Sequence, residues 1–390
     1  MEITELLEII SRGEDSKHQF KENYFHEKEK KGKNAIQNEL VAFTNSGGGQ
    51  IFFGVRDKTY DVIGLSKEDV HRLNEILSGA ATDSVRPSIN IETENISLEG
   101  RLVMIVTVPN GISKPYMTNE GIVWVKNGAD KRKVTSREEM QRMFQSAGLI
   151  HGDEIPANGI TVADIDIPYF KKFFEREYGE KLDDQEIPLP SIFENMNLLK
   201  EGILNISGAL LFAKNPQVRL PIFIVKAVCY PGDVIDESEY LDSQDITGKL
   251  PDVFQKSLVF LMNNLKRVQG DRNINAPGEP EIPKETLEEL LANALIHRDY
   301  FISAPIRVFV FRNRVEIISP GHLPNNLTIE NIKSGNSNIR NPILASYATK
   351  MLPYRGLGTG IRRALQKYPE IDFENDLDGN QFKVIIQRRA

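Results

Sequence analysis

Residues 42–57 read AFTNSGGGQIFFGVRD, and this stretch decides the architecture of the first part of the chain. Apolar residues recur at helical spacing over 33–45, and three consecutive glycines then end the predicted helix. The apolar run that follows predicts a buried strand over 50–55. A second run, over 101–108, is nearly all apolar and therefore predicts a central strand. Helix and strand in alternation predict a compact α/β unit.

The 390 residues correspond to two or three domains at about 150 residues each. Turn-forming residues at 151–160 and 275–280 predict two linkers. We therefore expect an α+β chain with an N-terminal domain over 1–150, a connecting α/β segment over 160–275 and a C-terminal domain over 280–390.

The C-terminal segment alternates between the hydrophobic periodicity of helices and that of strands. Its predicted elements are a helix over 283–297, a hairpin of strands over 306–311 and 314–318, a helix over 360–367 and a closing strand over 382–387.

Composition excludes several classes of protein. A net charge of −7 argues against a surface that binds polyanions everywhere, although a local basic patch remains compatible with it. The single cysteine, Cys229, allows neither an internal disulfide nor a cysteine zinc cluster. No apolar run approaches the ~20 residues that span a bilayer. Because residues 1–5 also lack the pattern of a signal peptide, we expect a cytoplasmic protein without membrane contact.

The strongest chemical pattern lies within residues 289–299. Glu289 and Asn293 are four residues apart on a predicted helix, so they share one face. A carboxylate there can polarise a water, and an Asn amide oxygen can bind Mg²⁺ beside a triphosphate. The competing interpretation is a solvated helix face. The chain contains no G-x-x-x-x-G-K-[ST] motif, which argues against a P-loop helicase motor.

Two glycine-containing stretches add to this pattern. A predicted strand ends at Ser319, and Gly321 follows in the turn. Gly356, Gly358 and Gly360 then alternate just before a predicted helix. Glycines allow close backbone approach, and a helix N-terminus presents free N–H groups to phosphate. Tight turns use the same residues, so the order of the pieces carries more weight than the glycine loop alone.

These pieces in this order, together with Arg340-Asn341-Pro342, resemble the GHKL ATPase family, which includes gyrase, Hsp90, histidine kinases and MutL. Residues 283–388 are most similar to its divergent branch in bacterial proteins called RecG-helicase-related or transcriptional regulators. The resemblance implies a Bergerat α/β sandwich that uses ATP and Mg²⁺.

The resemblance also implies residue roles. Glu289 would be the general base and Asn293 the Mg²⁺ ligand. The other implied nucleotide-binding residues are Ser319, Gly321, Gly356, Gly358, Thr359 and Gly360. Ser319 stands where the family has an Asp that binds the adenine amino group, and the missing charge costs about 1–2 kcal/mol. We therefore expect ATP binding with at most weak hydrolysis. His297, Arg298 and Asp299 are expected only as neighbours of the nucleotide.

Residues 10–145 resemble the Schlafen AlbA_2 domain, most specifically in the stretch 42–57. The resemblance implies a DNA- or RNA-binding module, and some relatives are metal-dependent RNases. The nuclease positions here are Glu14, Gln19 and Asp57. A neutral Gln amide is a poor ligand for a divalent ion, so cleavage is not the expected activity.

A basic cluster supports binding to nucleic acid. Its members are Lys126, Lys131, Arg132, Lys133, Arg137 and Arg142. Such side chains can contact phosphates, and Trp124 beside them could stack on a base. The competing interpretation is a solvated domain end. Ser136 and Glu139 predict a capping box that begins a helix ending near residue 147.

The sequence as a whole therefore predicts a nucleic-acid-binding, ATP-binding regulator whose nucleotide state modulates DNA or RNA binding. Expected partners are nucleic acid, ATP and a second copy of the chain. Two alternatives remain open: a Schlafen-like metal-dependent nuclease, and a non-catalytic assembly protein with vestigial sites.

Overall fold

The computed structural model describes residues 1–23, 29–236, 238–269, 278–324 and 327–388, without the side chains of 29–34 and 146. The chain separates into two compact units, Met1–Leu149 and Ile150–Ala390. Helices and several sheets occur in both units, which confirms the predicted α+β class. Within the described ranges, no helix is long and apolar enough to cross a membrane.

The first unit contains four helices and eight strands in its described part. The helices are α1 (Ile3–Arg12), α2 (Glu29–Asn45), α3 (Lys67–Asp83) and α4 (Arg137–Ser146); the strands are β1 (His18–Lys21), β2 (Gly49–Phe53), β3 (Val85–Arg86), β4 (Glu92–Leu98), β5 (Arg101–Val108), β6 (Met117–Thr118), β7 (Trp124–Asn127) and β8 (Asp130–Lys133).

Four of these strands form the main sheet, in the order β1-β2-β5-β4. Strand β5 lies inside it, antiparallel to both neighbours, as its apolar run predicts. Side chains alternate between faces along a strand, so Phe53 and Phe52 enter different clusters. Phe53 packs in the cluster that contains residues of α2 and α3, and Phe52 packs in the cluster that contains residues of α1. Helices therefore cover both faces of the sheet.

The Asn-Ser-Gly-Gly-Gly stretch has a structural role in this unit. Asn45 Nδ2 donates to Tyr116 O and to Trp124 O, both at 2.9 Å, and Asn45 Oδ1 accepts from Tyr116 N at 2.9 Å. Ser46 Oγ accepts from Lys126 N at 2.7 Å. At Gly48, φ is +75° and a Cβ would lie 2.8 Å from Val108 O, so only glycine fits. This turn therefore joins the end of α2 to strand β7.

The second unit is built from helices and strands of both later segments. Its helices are α5 (Ile167–Tyr178), α6 (Leu189–Asn195), α7 (Ile206–Phe212), α8 (Leu250–Asn264), α9 (Lys284–His297), α10 (Ile329–Ser334), α11 (Pro342–Met351) and α12 (Gly360–Lys367); its strands are β9 (Pro156–Thr161), β10 (Leu199–Lys200), β11 (Ile203–Asn205), β12 (Val225–Cys229), β13 (Asp242–Ile246), β14 (Arg267–Val268), β15 (Glu279–Pro280), β16 (Ile306–Val310), β17 (Arg314–Pro320), β18 (Ile371–Asp376) and β19 (Gln381–Gln387).

One six-stranded sheet joins the two later segments, in the order β13-β12-β16-β17-β19-β18. Strand β12 pairs with β16 in parallel, and β16 pairs with β17 as the predicted hairpin. A single hydrophobic cluster contains residues from Ala157 to Ile386. The three-domain division stays a prediction, but segments 160–275 and 280–390 share this sheet and core.

The stretch predicted as a first linker, 151–160, is instead part of the second unit. Asp153 is fully buried in a short 3₁₀ turn (Gly152–Glu154), and β9 pairs with β11. Asp153 Oδ2 accepts from Leu344 N at 2.9 Å and from Ser207 Oγ at 3.2 Å, which links this turn to α11 and α7. Turn-forming residues alone did not reveal that the carboxylate has buried donors. Of the second predicted linker, residues 275–277 lie outside the described residues.

Two further sequence predictions need correction. The apolar residues after 250 also predict a helix over 250–268, but α8 ends at Asn264, because Arg267–Val268 pairs with Glu279–Pro280 as a small sheet. The predicted capping box at α4 is only half formed. Ser136 Oγ accepts from Glu139 N at 3.3 Å, but the Glu139 carboxylate binds Arg132 instead.

Burial of Asp153 predicts a specific pH dependence of stability. Burial raises the pKa of Asp153 from 3.8 to about 6, although its donors oppose the shift. The folded state therefore holds the proton more tightly than the unfolded state does. The contribution of this group to stability is fully present below about pH 4 and is lost as the pH rises to about 6.

Asp153→Asn should remove this pH dependence. The free energy of unfolding of the variant, relative to wild type, should rise by about 3 kcal/mol between pH 4 and pH 7. Urea unfolding across this range measures the difference, with Glu154→Gln as the exposed control. If the unfolding free energies of Asp153→Asn and wild type change with pH in parallel, the pKa of Asp153 is not raised in the folded state.

Candidate nucleotide site and nucleic-acid interface

Helix α9 presents Glu289 and Asn293 on one face, as their spacing predicts. Asn293 Nδ2 donates to Glu289 Oε1 at 2.8 Å and to Glu289 O at 2.7 Å. This leaves Asn293 Oδ1 without a hydrogen bond from the described residues. The remaining α9 side chains Leu287, Leu290 and Leu291 are buried in the core and fix the helix in place. An amide oxygen is therefore left available beside a buried carboxylate.

The start of α12 lies directly against Glu289. A Cβ on Gly360 would lie 1.6 Å from Glu289 Oε1, so only glycine permits this approach. One turn later, Arg363 Nη2 donates to Glu289 Oε2 at 2.8 Å. The partial positive charge of the α12 N-terminus favours the same carboxylate. Glu289 is thus contacted by Asn293 of its own helix and by α12, through Gly360 and Arg363.

The glycine loop before α12 has the geometry that its sequence predicts. Gly356 and Gly358 have φ values of +68° and +71°, in the left-handed region that favours glycine. A Cβ on Gly358 would lie 2.5 Å from Gly335 O. Thr359, the N-cap residue of α12, makes no capping hydrogen bond through its side chain. The N–H groups at this helix start therefore lack a side-chain cap and could receive an anion.

Ser319 and Gly321 lie at the end of β17, beside the C-terminal half of α9. Ser319 is buried, and its Oγ donates to Ala294 O at 3.1 Å, which leaves the oxygen lone pairs as acceptors. Gly321 has φ +97°, and a Cβ there would lie 2.4 Å from Arg340 Nη1. Packing against Arg340 therefore explains this glycine without a nucleotide contact.

The Arg340-Asn341-Pro342 stretch holds the end of α9. Asn341 Nδ2 donates to Ile296 O at 2.7 Å and to Arg298 O at 2.8 Å. Arg340 Nη1 donates to His297 O at 3.3 Å, and its Nη2 donates to His322 O. These donors satisfy carbonyl groups that a helix end leaves without partners. The stretch positions α9 relative to the turn after β17.

These residues surround one cavity of about 110 Å³. One wall is apolar and comes from the sheet, with Ile317, Phe373, Phe382 and Val384. Other lining residues come from α9, the glycine loop, α12 and the stretch before α11. The ionised side chains among them are Glu289, Arg340, Arg355 and Arg363, three cations and one carboxylate. A cavity with an apolar wall and a cationic, glycine-rich wall suits a planar base linked to phosphates.

Of the residues expected only as neighbours of the nucleotide, His297 lies at the cavity and Arg298 lies in the core. His297 lines the cavity, and burial lowers its pKa to about 4 with a smaller effect from Arg340, so the imidazole is neutral at pH 7. Arg298 packs between the rings of Phe223 and Tyr300, with its guanidinium carbon 4.6 and 4.9 Å from their centroids. Its Nη2 donates to Ala304 O at 2.7 Å, so its role is structural.

Sequence reasoning did not identify Arg363, and it gave Arg340 no role. Arg363 follows the last glycine of the loop by three residues, which places it one turn into α12. That spacing was a usable signal, because a side chain there can reach the same space as the helix start. Without the position of α9, however, the sequence did not show that the face of α12 with Arg363, rather than the face with Arg362, meets a carboxylate.

In the first unit, three of the six predicted nucleic-acid-binding residues are engaged within the protein. Lys126 Nζ donates to Gln19 Oε1 at 2.8 Å and to Ala129 O at 2.6 Å, and burial lowers its pKa. Lys131 pairs with the buried Glu39. Arg132 makes two hydrogen bonds to Glu139, at 2.8 and 2.9 Å. Their charges are partly or wholly balanced by internal acceptors.

The other three, Lys133, Arg137 and Arg142, are exposed. Lys133 Nζ lies 5.4 Å from the ring centroid of Trp124, which is itself half-buried against the core. Trp124 therefore offers little free ring surface for a base. Arg137 and Arg142 on α4 make no salt bridge with the described residues, and both guanidinium groups are open to solvent.

Two lysines outside the predicted basic cluster, Lys17 and Lys114, also lack a carboxylate partner among the described residues. Lys17 Nζ donates to Gly47 O at 2.6 Å and to Gly48 O at 3.2 Å. Burial lowers the pKa of Lys114, and the charge of Lys17 adds to the effect. No carboxylate within the described residues forms a salt bridge with either lysine. Because they lie far apart in sequence, no local pattern could have paired them.

The nuclease positions have polar partners that do not suit a metal ion. Gln19 Nε2 donates to Glu14 Oε1 at 2.5 Å, and Lys126 Nζ binds Gln19 Oε1. Asp57 lies 3.5 Å from Lys21 Nζ. An ammonium therefore stands beside Gln19, where a divalent ion would need an anionic ligand. Among the described residues, no group of three or more His, Cys, Asp or Glu side chains could hold a metal.

Comparisons with solved structures return distant similarity. The crystal structure of the DIP2311 protein from Corynebacterium diphtheriae aligns with 100% of this chain and 69% of its own, at 18% identity and a TM-score of 0.46. The solution structure of the N-terminal domain of a "Putative ATP-dependent DNA Helicase RecG-related Protein" from Nitrosomonas europaea covers 34% of this chain and 94% of its own, at 21% identity and a TM-score of 0.24. No curated protein matches the chain.

Two family models match the chain. Residues 14–135 match the model described as "Schlafen, AlbA_2", and residues 303–386 match the model described as "Putative ATP-dependent DNA helicase recG C-terminal". The second match includes the glycine loop and Arg363 but begins after α9, so the contribution of Glu289 and Asn293 rests on geometry. Both resemblances read from the sequence are confirmed: the chain carries a Schlafen AlbA_2 match in its N-terminal part and a RecG-related, ATPase-like match in its C-terminal part.

Proposed function

We propose that the protein is a nucleic-acid-binding regulator that binds ATP in the cavity of its second unit, and that nucleotide state modulates DNA or RNA binding. One observation carries the nucleotide assignment. Glu289 and Asn293 of α9 meet the glycine loop and the start of α12, about 70 residues later in the chain, around a single cavity.

The residues present fit ATP at three points. Ser319 Oγ keeps lone pairs that can accept from the adenine amino group, because its proton is given to Ala294 O. The apolar sheet wall suits the base. The glycine loop and the uncapped start of α12 suit the phosphates, since backbone N–H groups there can approach closely.

Mg²⁺ would be held together with the phosphates. Asn293 Oδ1 is free to ligate, whereas the described residues contain no acidic cluster that could hold a metal alone. Mg²⁺ in proteins is commonly bound by one or two protein ligands together with substrate phosphates. The cation would balance phosphate charge beside Glu289.

The contacts of Glu289 support at most weak hydrolysis. Its two carboxylate oxygens accept from Asn293 and Arg363, and these donors compete with a water for the lone pairs of the group. A general base engaged in this way is poorly placed for rapid turnover. Binding rather than rapid hydrolysis is therefore the function that the geometry supports best.

The exposed cations of α4, rather than the whole basic cluster, support contact with nucleic acid. Arg137 and Arg142 are exposed and form no salt bridge with the described residues, so they can neutralise phosphates without breaking internal contacts. Lys126 and Lys131 would each have to leave a protein acceptor first.

Asn293→Ala should weaken binding of ATP·Mg²⁺ by about 1.5–3 kcal/mol, because a ligand to a charged centre is lost. Ser319→Ala should cost about 1 kcal/mol and narrow the preference for ATP over GTP. Calorimetry measures both, and the exposed Asn313→Ala serves as a matched control.

If wild type binds no ATP at millimolar concentration, the nucleotide assignment is wrong. If ATP and nucleic acid both leave thermal stability unchanged, the protein is better described as an assembly protein with vestigial sites.

Arg137→Ala with Arg142→Ala should weaken binding of labelled duplex and reduce the slope of log affinity against log salt by about 1.8, at about 0.9 per lost phosphate contact. Lys58→Ala with Lys67→Ala, which also removes two exposed positive charges, is the matched control and should leave the slope unchanged. A double variant that keeps the wild-type slope would place the nucleic-acid surface elsewhere.

A further inference from the structure

Arg363 makes a contact that the proposed function does not yet use. Its Nη2 holds Glu289 Oε2 at 2.8 Å, while its Nε is buried and has no hydrogen-bond partner. The guanidinium therefore has an unused donor next to the one that binds the carboxylate. A guanidinium can donate two parallel hydrogen bonds to a carboxylate or to a phosphate.

The Glu289–Arg363 pair stands between two cavities. Both residues line the nucleotide cavity, and both also line a second cavity of about 470 Å³. The second cavity includes Thr286, whose Oγ1 is buried without a partner, and Lys367. The pair therefore closes the nucleotide cavity at one end and faces a polar space beyond it.

The pair lies at the phosphate end of the proposed nucleotide. Ser319, the residue assigned to adenine, contacts Ala294, whereas Arg363 contacts Glu289, five residues earlier on α9. Five helical residues correspond to about 7.5 Å along the axis. A nucleotide with its base at Ser319 and its phosphates along the glycine loop would direct its terminal phosphate towards Arg363.

We infer that Arg363 holds Glu289 in the nucleotide-free protein and releases it to bind the terminal phosphate of a nucleoside triphosphate, so that the pair distinguishes ATP from ADP. This inference rests on the proposed function, because it concerns the same cavity. In the nucleotide-free protein the Glu289 carboxylate accepts the hydrogen bond of Arg363, and the terminal phosphate would take its place. Release leaves Glu289 Oε2 with a free lone pair beside the phosphates.

The pair also makes nucleotide binding compete with an internal contact. Neutralising Glu289 should therefore strengthen ATP binding, whereas removing Arg363 should weaken it. A purely structural ion pair would give neither the opposite signs nor a difference between ATP and ADP.

The test is calorimetry with ATP·Mg²⁺ and ADP·Mg²⁺ on the full chain. Arg363→Ala should weaken ATP binding by about 10- to 100-fold, the range for a lost hydrogen bond to a charged group, and should change ADP binding by less than about 3-fold. Arg362→Ala, which removes an exposed charge from the adjacent position, should match wild type for both nucleotides. Glu289→Gln should tighten ATP binding, and this gain should vanish when Arg363 is also replaced.

The outcomes separate the inference from the proposed function. If wild type binds no ATP, the proposed function fails. If wild type binds ATP and Arg363→Ala keeps both affinities, or loses them equally, the inference is overturned and the proposed function stands. If Arg363→Ala does not fold, Arg363→Lys is tested instead. Lysine keeps the positive charge but cannot donate two parallel hydrogen bonds as a guanidinium does. An unchanged ratio of ATP to ADP affinity in this variant would overturn the inference.

Discussion

The contact between Gly360 and the Glu289 carboxylate is the constraint on which the cavity depends. A Cβ at Gly360 would lie 1.6 Å from Glu289 Oε1, so any other residue there would push the carboxylate out of its present position. Because α12 begins there, Arg363 reaches the same carboxylate one turn later. Asn293 fixes the other carboxylate oxygen. This close approach therefore brings the helix start, Arg363 and Asn293 together on one carboxylate at the edge of the cavity.

Ion pairs with Glu side chains of the protein itself decide which basic residues are available to bind an anionic ligand. Lys131 binds the buried Glu39, and Arg132 binds Glu139 at the surface. In the second unit, Glu289 does the same to Arg363. The difference lies in what surrounds the pair, because Arg363 and Glu289 line cavities that an anion could enter. A count of basic residues therefore overstates the nucleic-acid surface and, by itself, misses the nucleotide contact.

Local patterns predicted much of the fold and the main parts of the nucleotide site. The apolar run of β5, the β16–β17 hairpin and the shared face of Glu289 and Asn293 all follow from periodicity. Contacts between distant segments could not be predicted in this way. The buried donors of Asp153 come from Ser207 and Leu344, which no pattern near residue 153 indicates. Arg363 was missed because its partner lies 74 residues away.

The central claim is that ATP in the second unit changes how the protein binds nucleic acid. Fluorescence anisotropy with labelled DNA and RNA, at one fixed salt concentration, tests this most directly when each titration is run with and without ATP·Mg²⁺. We expect the Kd for at least one nucleic acid to change when ATP is added, and the change to disappear in Asn293→Ala. Identical Kd values with and without ATP, in a protein that calorimetry shows to bind ATP, would contradict the claim.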